Sequence, residues 1–391
     1  MKNGWLLVIY FLSICLANAQ QPLSPNAEIS VLTVGPGTSL NDSFGHSGFR
    51  IKDEINQIDL VFNYGVYDFD TPNFYLKFAQ GKLNYLIGLN YFDDFFASYA
   101  AQNRTIKEQV LNLNEIEKQK LFDYLINNYK PANRAYLYDF FYDNCATRIR
   151  DVIENVMDKG VTFNTPEGFK EKTFRQLIQE NLKSNSWGSA GIDIALGSVI
   201  DKKATAYEYM YLPKFIHAFF DNATINNSGK PLVIQSRILF TKKDVVESAN
   251  FLTSPFMIFG IFGLLVIFIT YSDYKKNNRS IWLDTVIFGI TGIIGLFLLL
   301  LWFATNHSTT GYNYNLLWAF PLNIIVISQV FKSIPKNWFI KYVKLLIILF
   351  CLLTLHWLIG VQVFAITLLP IFIAFVIRYV YLIYYYKLQS K

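Results

Sequence analysis

Up to about residue 254 the apolar positions alternate or recur at helical spacing; from Pro255 onward they merge into long runs. Residues 47–52 and 57–64 read as two strands joined by a turn at 53–56. His46, Gly48 and Arg50 alternate with Phe49 and Ile51, and Asp59, Val61 and Asn63 alternate with Ile58, Leu60, Phe62 and Tyr64. His46 and Asn63 are therefore expected on one face of a hairpin. Residues 104–113 form a further expected strand. Asn114, with Glu117 three residues on, opens a helix to about residue 129, which Pro131 ends. Residues 134–141 read as a strand leading into a helix, because Ile149, Val152, Ile153, Val156 and Met157 recur at helical spacing just after Cys145. Helical patterns at 171–183 and 205–220 follow, separated by the glycine-rich stretch 187–197.

The runs at 255–271, 282–304 and 316–331 are each close to the length needed to cross a ~30 Å hydrocarbon core. The stretch 342–386 is long enough for two crossings, with a break near Gly360-Val361-Gln362, so five spans are expected. Lys275, Lys276 and Arg279 fill the first loop and Lys332, Lys336, Lys341 and Lys344 the third, while the loop at 305–315 carries no Lys or Arg. By the positive-inside rule the basic loops are cytoplasmic, and residues 20–254 and the uncharged loop lie outside. Lys2, the apolar stretch 5–16 and Ala17-Asn18-Ala19 form a secretory signal, with cleavage before Gln20, that predicts the same orientation.

Composition sharpens this division. Of 391 residues 52% are hydrophobic and 17% aromatic, too many for a wholly soluble enzyme, and the net charge of +6 is modest. The basic residues sit beside apolar segments, which argues against nucleic acid as a partner. The layout is a signal at 1–19, an exported domain at 20–254 and a membrane domain at 255–391.

Cysteine usage then singles out one residue. Removal of the signal takes Cys15, and Cys351 is deep in an apolar run, so Cys145 is left without a disulfide partner in an oxidising compartment. Asp143 or Asn144 can cap the helix that starts there, and its dipole is expected to lower the thiol pKa. A small buried cysteine opening a helix is the competing explanation. A thiol nucleophile needs an imidazole to take its proton and a third group to orient the ring. His46, flanked by Gly45 and Gly48, is the base to expect, and Asn63 the orienting group, with Tyr64 or Asp139 as substitutes. Metal chemistry is disfavoured, because the exported domain's other histidine is His217 and no ligand cluster has suitable spacing. No cofactor is implied.

These residues resemble a known family. His46 on an early strand and Asn144-Cys145 at a later helix start are similar to the circularly permuted NlpC/P60 branch of papain-like folds, which includes lecithin:retinol acyltransferase-like enzymes. More closely, the chain resembles the Lnb-type lipoprotein N-acyltransferases. The resemblance lies in Phe44-Gly45-His46-Ser47, Asn63-Tyr64-Gly65, Phe69-Asp70 with Pro72, and Phe74-Tyr75-Leu76-Lys77-Phe78. It extends to Tyr138-Asp139-Phe140-Phe141-Tyr142-Asp143-Asn144-Cys145-Ala146-Thr147-Arg148, to Asn315-Leu316-Leu317-Trp318 and to Pro321-Leu322.

The resemblance implies an α+β, permuted papain-like periplasmic domain resting on about five transmembrane helices in a bacterial inner membrane. It implies a phospholipid acyl donor, a diacylglyceryl-modified lipoprotein as acceptor, a thioester on Cys145 and His46 as base. Arg148 is placed to hold a lipid phosphate or to form a surface salt bridge. Tyr64, Asp70 and Tyr138 would shape the pocket or simply pack, and Ser47 and Asn144, beside the two reactive residues, are candidates to bind substrate. His307 lies in the outer loop that faces the catalytic domain. Asp284, near the cytoplasmic end of its span, is expected to reach water, whereas His356 lies towards the outer side. A periplasmic thiol hydrolase, cutting phospholipid or cell-wall peptide, is the first alternative; a non-enzymatic membrane scaffold is the second.

Overall fold

The computed structural model describes residues 22–244 and 251–389, so the signal segment lies outside the described residues. The N-terminal domain is α+β. Its strands are β1 (Glu28–Val34), β2 (His46–Asp53), β3 (Ile58–Val66), β4 (Asn84–Tyr91), β5 (Ile106–Leu111), β6 (Ala135–Leu137), β7 (Val161–Thr162), β8 (Thr224–Ile225) and β9 (Val233–Phe240). Seven of them form one antiparallel sheet in the order β6-β4-β3-β2-β1-β5-β9. The expected hairpin is β2–β3, with Gly48 opposite Asn63. β1 lies inside the sheet but carries no alternation in sequence, because six of its seven residues are buried.

The helix Cys145–Val156 packs its apolar stripe on the sheet, and Ile149, Val152, Ile153 and Val156 join Phe49, Ile51, Phe62 and Tyr64 in the main core. On the opposite face Phe95, from the helix Phe92–Ala101, packs with Leu32, Val34 and Val61. Three local expectations change. The expected helix at 205–220 is two helices, Ala206–Tyr209 and Pro213–Asp221, since Pro213 has no N–H to continue the first. The expected helix at 171–183 shrinks to Phe174–Gln179. The glycine-rich separator is itself helical over Trp187–Ala195, with the Ser186 side chain accepting from the Ser189 N–H.

In the C-terminal domain four helices have the length and hydropathy to cross a membrane: Pro255–Lys276, Ile281–Phe303, Asn337–Leu358 and Ile366–Gln389. The expected span at 316–331 is broken into a 3-10 turn (Tyr314–Leu317) and a short helix (Asn323–Val330), with Pro321 between them. It still runs the length of its neighbour. Asn315 meets Asp193 and Ile194 of the N-terminal domain at one end, and Val330 O accepts from Arg279 at the other. Close packing permits this: a Cβ on Gly292 or Gly295 would lie 2.6 Å from Ile324 Cγ1 or 2.1 Å from Ala319 O. Irregular backbone at membrane depth is tolerated where protein covers it.

Asp284 does not reach water. It is 1% exposed. It accepts from Arg279 Nε at 2.8 Å and Arg378 Nε at 2.6 Å, while Arg378 Nη1 also donates to Asp273 at 2.7 Å. Two carboxylates and two guanidiniums thus join the end of Pro255–Lys276 and the start of Ile281–Phe303 to the middle of the last helix.

The two domains are hydrogen-bonded together through the uncharged loop. The last carbonyls of the helix Trp187–Ala195 have no partner within the helix. Ile194 O and Ala195 O accept from Asn313 Nδ2 at 2.8 and 3.0 Å, and Asp193 O from Asn315 Nδ2 at 3.0 Å. Gly197 N–H donates to Thr309 O and Ser198 N–H to Tyr312 O. A Cβ on Gly197 would fall 1.8 Å from Gly311 O. Gly197→Ala should therefore force the loop off the N-terminal domain, at a cost of about 1–3 kcal/mol in overpacking, read as a lower thermal unfolding temperature of the full-length protein.

Candidate active site

Asn144, rather than Asp143, caps the Cys145 helix. Its Oδ1 accepts from the N–H groups of Ala146 (2.8 Å) and Thr147 (2.9 Å), and its Nδ2 donates to Phe140 O (2.7 Å) and Tyr211 O (2.9 Å). With its amide so engaged, Asn144 positions the helix start and has nothing left for a substrate. Cys145 is the first helical residue, and its sulfur lies within hydrogen-bonding reach of the Ser47 N–H.

His46 opens β2 beside that amide. Gly45 before it has φ +84°, and a Cβ there would lie 2.7 Å from Val34 O. Its small size therefore serves close backbone approach to β1. His46 Nε2 is 3.2 Å from Asn63 Oδ1, and Asn63 Nδ2 donates to Asn90 Oδ1 at 3.0 Å. Because Asn90 takes the amide hydrogens, the Asn63 oxygen is turned to the ring. Nε2 then carries the proton and Nδ1 is left as the acceptor. Asn63→Ala should lower turnover by about tenfold to a hundredfold, chiefly in kcat, by freeing the ring and its tautomer; steady-state kinetics with unchanged thermal stability would show it.

Burial governs the charge of the pair. It pushes the Cys145 thiol up to about 11, against the lowering effect of the amides of Ser47, Cys145 and Ala146. The same desolvation pulls His46 down to about 4, opposed by the Asn63 hydrogen bond. The thiolate expected from the helix dipole is thus overridden, and at neutral pH both groups rest uncharged.

Cys145, His46 and Asn63 line one cavity of about 730 Å³, together with Tyr64 and Tyr138 and with Asn306, His307, Ser308 and Thr309 of the outer loop. His307 Nε2 lies 3.1 Å from Ala79 O, and the Asn306 N–H donates to Gln80 O at 2.8 Å. The Tyr64 hydroxyl is committed to Asn128 at 2.6 Å, and Tyr138 stacks on Tyr85 with ring centroids 4.3 Å apart.

Other expected site residues are elsewhere. Ser47 has a fully buried side chain, and only its backbone N–H faces the sulfur. Asp70 is exposed in a turn outside the cavity. Arg148 is also outside it: its guanidinium pairs with Asp143 through Nε and Nη2 and covers the Tyr136 ring at 4.3 Å. Asp139, the substitute orienter, does line the cavity, but its carboxylate is committed to the N–H groups of Phe141 and Tyr142 and to Ser308 Oγ. His356 packs on Tyr314 and bonds to Leu352 O.

Sequence reading missed Asn90, Asp42 and Arg104. Asn90 pairs with Val61 on the next strand, and the last two line the cavity. The pairing of β3 with β4 was the one signal that would have pointed to Asn90.

Comparison with known families supplies the context. Residues 18–180 match the Lnb N-terminal periplasmic domain, and residues 246–389 match the Lnb transmembrane domain. No curated protein and no solved structure matches the chain. The two matches follow each other in the order expected for one membrane protein with a periplasmic domain, and the chain belongs to the Lnb family.

Proposed function

We propose that this protein is a lipoprotein N-acyltransferase of the bacterial inner membrane, working through a Cys145 thioester. One observation carries the reading: a half-buried thiol, an imidazole and its amide partner share a cavity whose wall includes the outer loop of the membrane domain. Lipid tails gain ~0.8 kcal/mol per buried CH₂, so an acyl donor reacts best where it need not leave the bilayer. The same wall includes Phe69, Phe74, Tyr75 and Phe78, of which Phe69, Tyr75 and Phe78 are also solvent-exposed beside that loop, an apolar path for a chain at the membrane surface.

In the first half-reaction His46 Nδ1 takes the thiol proton as Sγ attacks the ester carbonyl of a phospholipid. The Cys145 N–H, at a helix start with no intrahelical acceptor, stabilises the oxyanion. The C–O bond breaks, the lysolipid oxygen leaves with the proton from His46, and an S-acyl enzyme remains. In the second, the N-terminal amine of a diacylglyceryl-modified lipoprotein attacks that thioester. The new C–N bond forms, the C–S bond breaks, and the amine proton returns to sulfur through His46.

The test is purified full-length protein with acyl-labelled phospholipid, with and without a synthetic diacylated lipopeptide. Labelled amide that requires the peptide supports transfer. Labelled fatty acid formed regardless of peptide would make the protein a thiol hydrolase, and absence of any product would favour a scaffold.

A further inference from the structure

Among the buried arginines of the periplasmic domain, Arg104 stands apart. Arg50 meets Asp59 through two nitrogens and Glu108 through the third. Arg175 meets Asp201 through two and Asp193 through the third. Arg104 is 2% exposed and lines the reactive cavity, yet among the described residues its only carboxylate is Asp42, reached through Nη1 at 3.3 Å. Its Nε donates to Gly35 O at 2.9 Å, Nη1 also reaches Gln102 Oε1 at 3.3 Å, and its guanidinium lies 4.8 Å from the Tyr99 ring centre. Nη2 is buried and has no hydrogen-bond partner among the described residues. A buried donor left open in this way costs free energy unless a ligand completes it.

We propose that Arg104 is the anion subsite of the cleft and that Nη2 takes a phosphate oxygen of the acyl donor's headgroup. This rests on the acyl-transfer reading and deepens it. The planar guanidinium suits a phosphodiester, and a phospholipid carries one a few bonds from the ester that Cys145 attacks. The acceptor's diacylglyceryl group has no phosphate, so Arg104 distinguishes donor from acceptor. Arg148, the residue whose sequence position suggested a phosphate contact, is held by Asp143 outside the cavity. Asp42 shields Arg104 while the cleft is empty, and a bound phosphate displaces this long contact.

The experiment measures hydroxylamine-sensitive acylation of full-length protein in detergent micelles by phosphatidylglycerol and by diacylglycerol with the same chains. The wild type should acylate at least tenfold faster from the phospholipid. Arg104→Gln should lower the phospholipid rate by about tenfold to a hundredfold more than it lowers the diacylglycerol rate. Arg104→Lys should keep part of the preference. The diacylglycerol rate also reports whether the site is still assembled. Should Arg104→Gln not fold, Asp42→Asn, which removes the competing anion, should raise the phospholipid preference severalfold. Equal losses with both donors, no preference in the wild type, or a preference lowered by Asp42→Asn would each overturn the proposal. Wild-type protein acylated by neither donor would instead sink the acyltransfer reading beneath it.

Discussion

Cys145→Ala should abolish acyl transfer, by at least about a thousandfold, while the full-length protein keeps its thermal unfolding temperature to within a few degrees. Loss of a nucleophile removes the covalent route entirely, and what remains is the weak contribution of binding and oxyanion stabilisation. The replaced side chain is small, so little packing is lost. The pH dependence adds a second signature. With His46 lowered to about 4 and the thiol raised to about 11, both stay neutral between those limits, and His46 takes the proton as sulfur attacks. The rate of Cys145 acylation by phospholipid should therefore be nearly flat from about pH 5 to 10, falling below as His46 gains a proton. Alkylation by iodoacetamide needs the free thiolate, so it should be slow at pH 7 and rise about tenfold per pH unit towards 11. A preformed thiolate–imidazolium pair would instead be alkylated rapidly at neutral pH. Parallel rate profiles for acylation and alkylation would contradict the neutral pair.

Asp284→Ala should destabilise the membrane domain by about 3–5 kcal/mol, since it strips a carboxylate from Arg279 and Arg378 without removing either charge. Arg378 is 0% exposed and would keep only Asp273, Thr270 Oγ1 and Ser280 O. The cluster as built is balanced, two negative groups against two positive, and it joins Pro255–Lys276, Ile281–Phe303 and Leu369–Gln389. Asp284→Asn, which keeps an acceptor oxygen but not the charge, should fall between wild type and Asp284→Ala. Thermal unfolding in detergent micelles checks both. Equal stability of wild type and Asp284→Ala would show that the cluster does not hold the helices together.

What could be read from the chain alone was set by near neighbours. Long apolar runs and flanking lysines marked the membrane domain, because crossing a bilayer needs a certain length of apolar helix and basic loops stay on one side. The helix at Cys145 was legible from its apolar spacing and from Asn144 as a possible cap. His46 and Asn63 fell on one face because side chains alternate along a strand. The resemblance then named the family that the domain matches support.

Other features were decided only when distant segments met. β1 is buried on both faces, so it lacks the alternation that marks a strand. That His46 and Cys145 share one cavity depends on a helix packing across a sheet from a remote part of the chain. The charge state of the thiol reversed because burial, which no local pattern reports, outweighs the helix dipole. Asp284 looked accessible until Arg378, from the last helix, closed over it. Arg104 acquired its meaning in the same way: local sequence specifies which groups a residue carries, and only packing decides which of them are left unpaired.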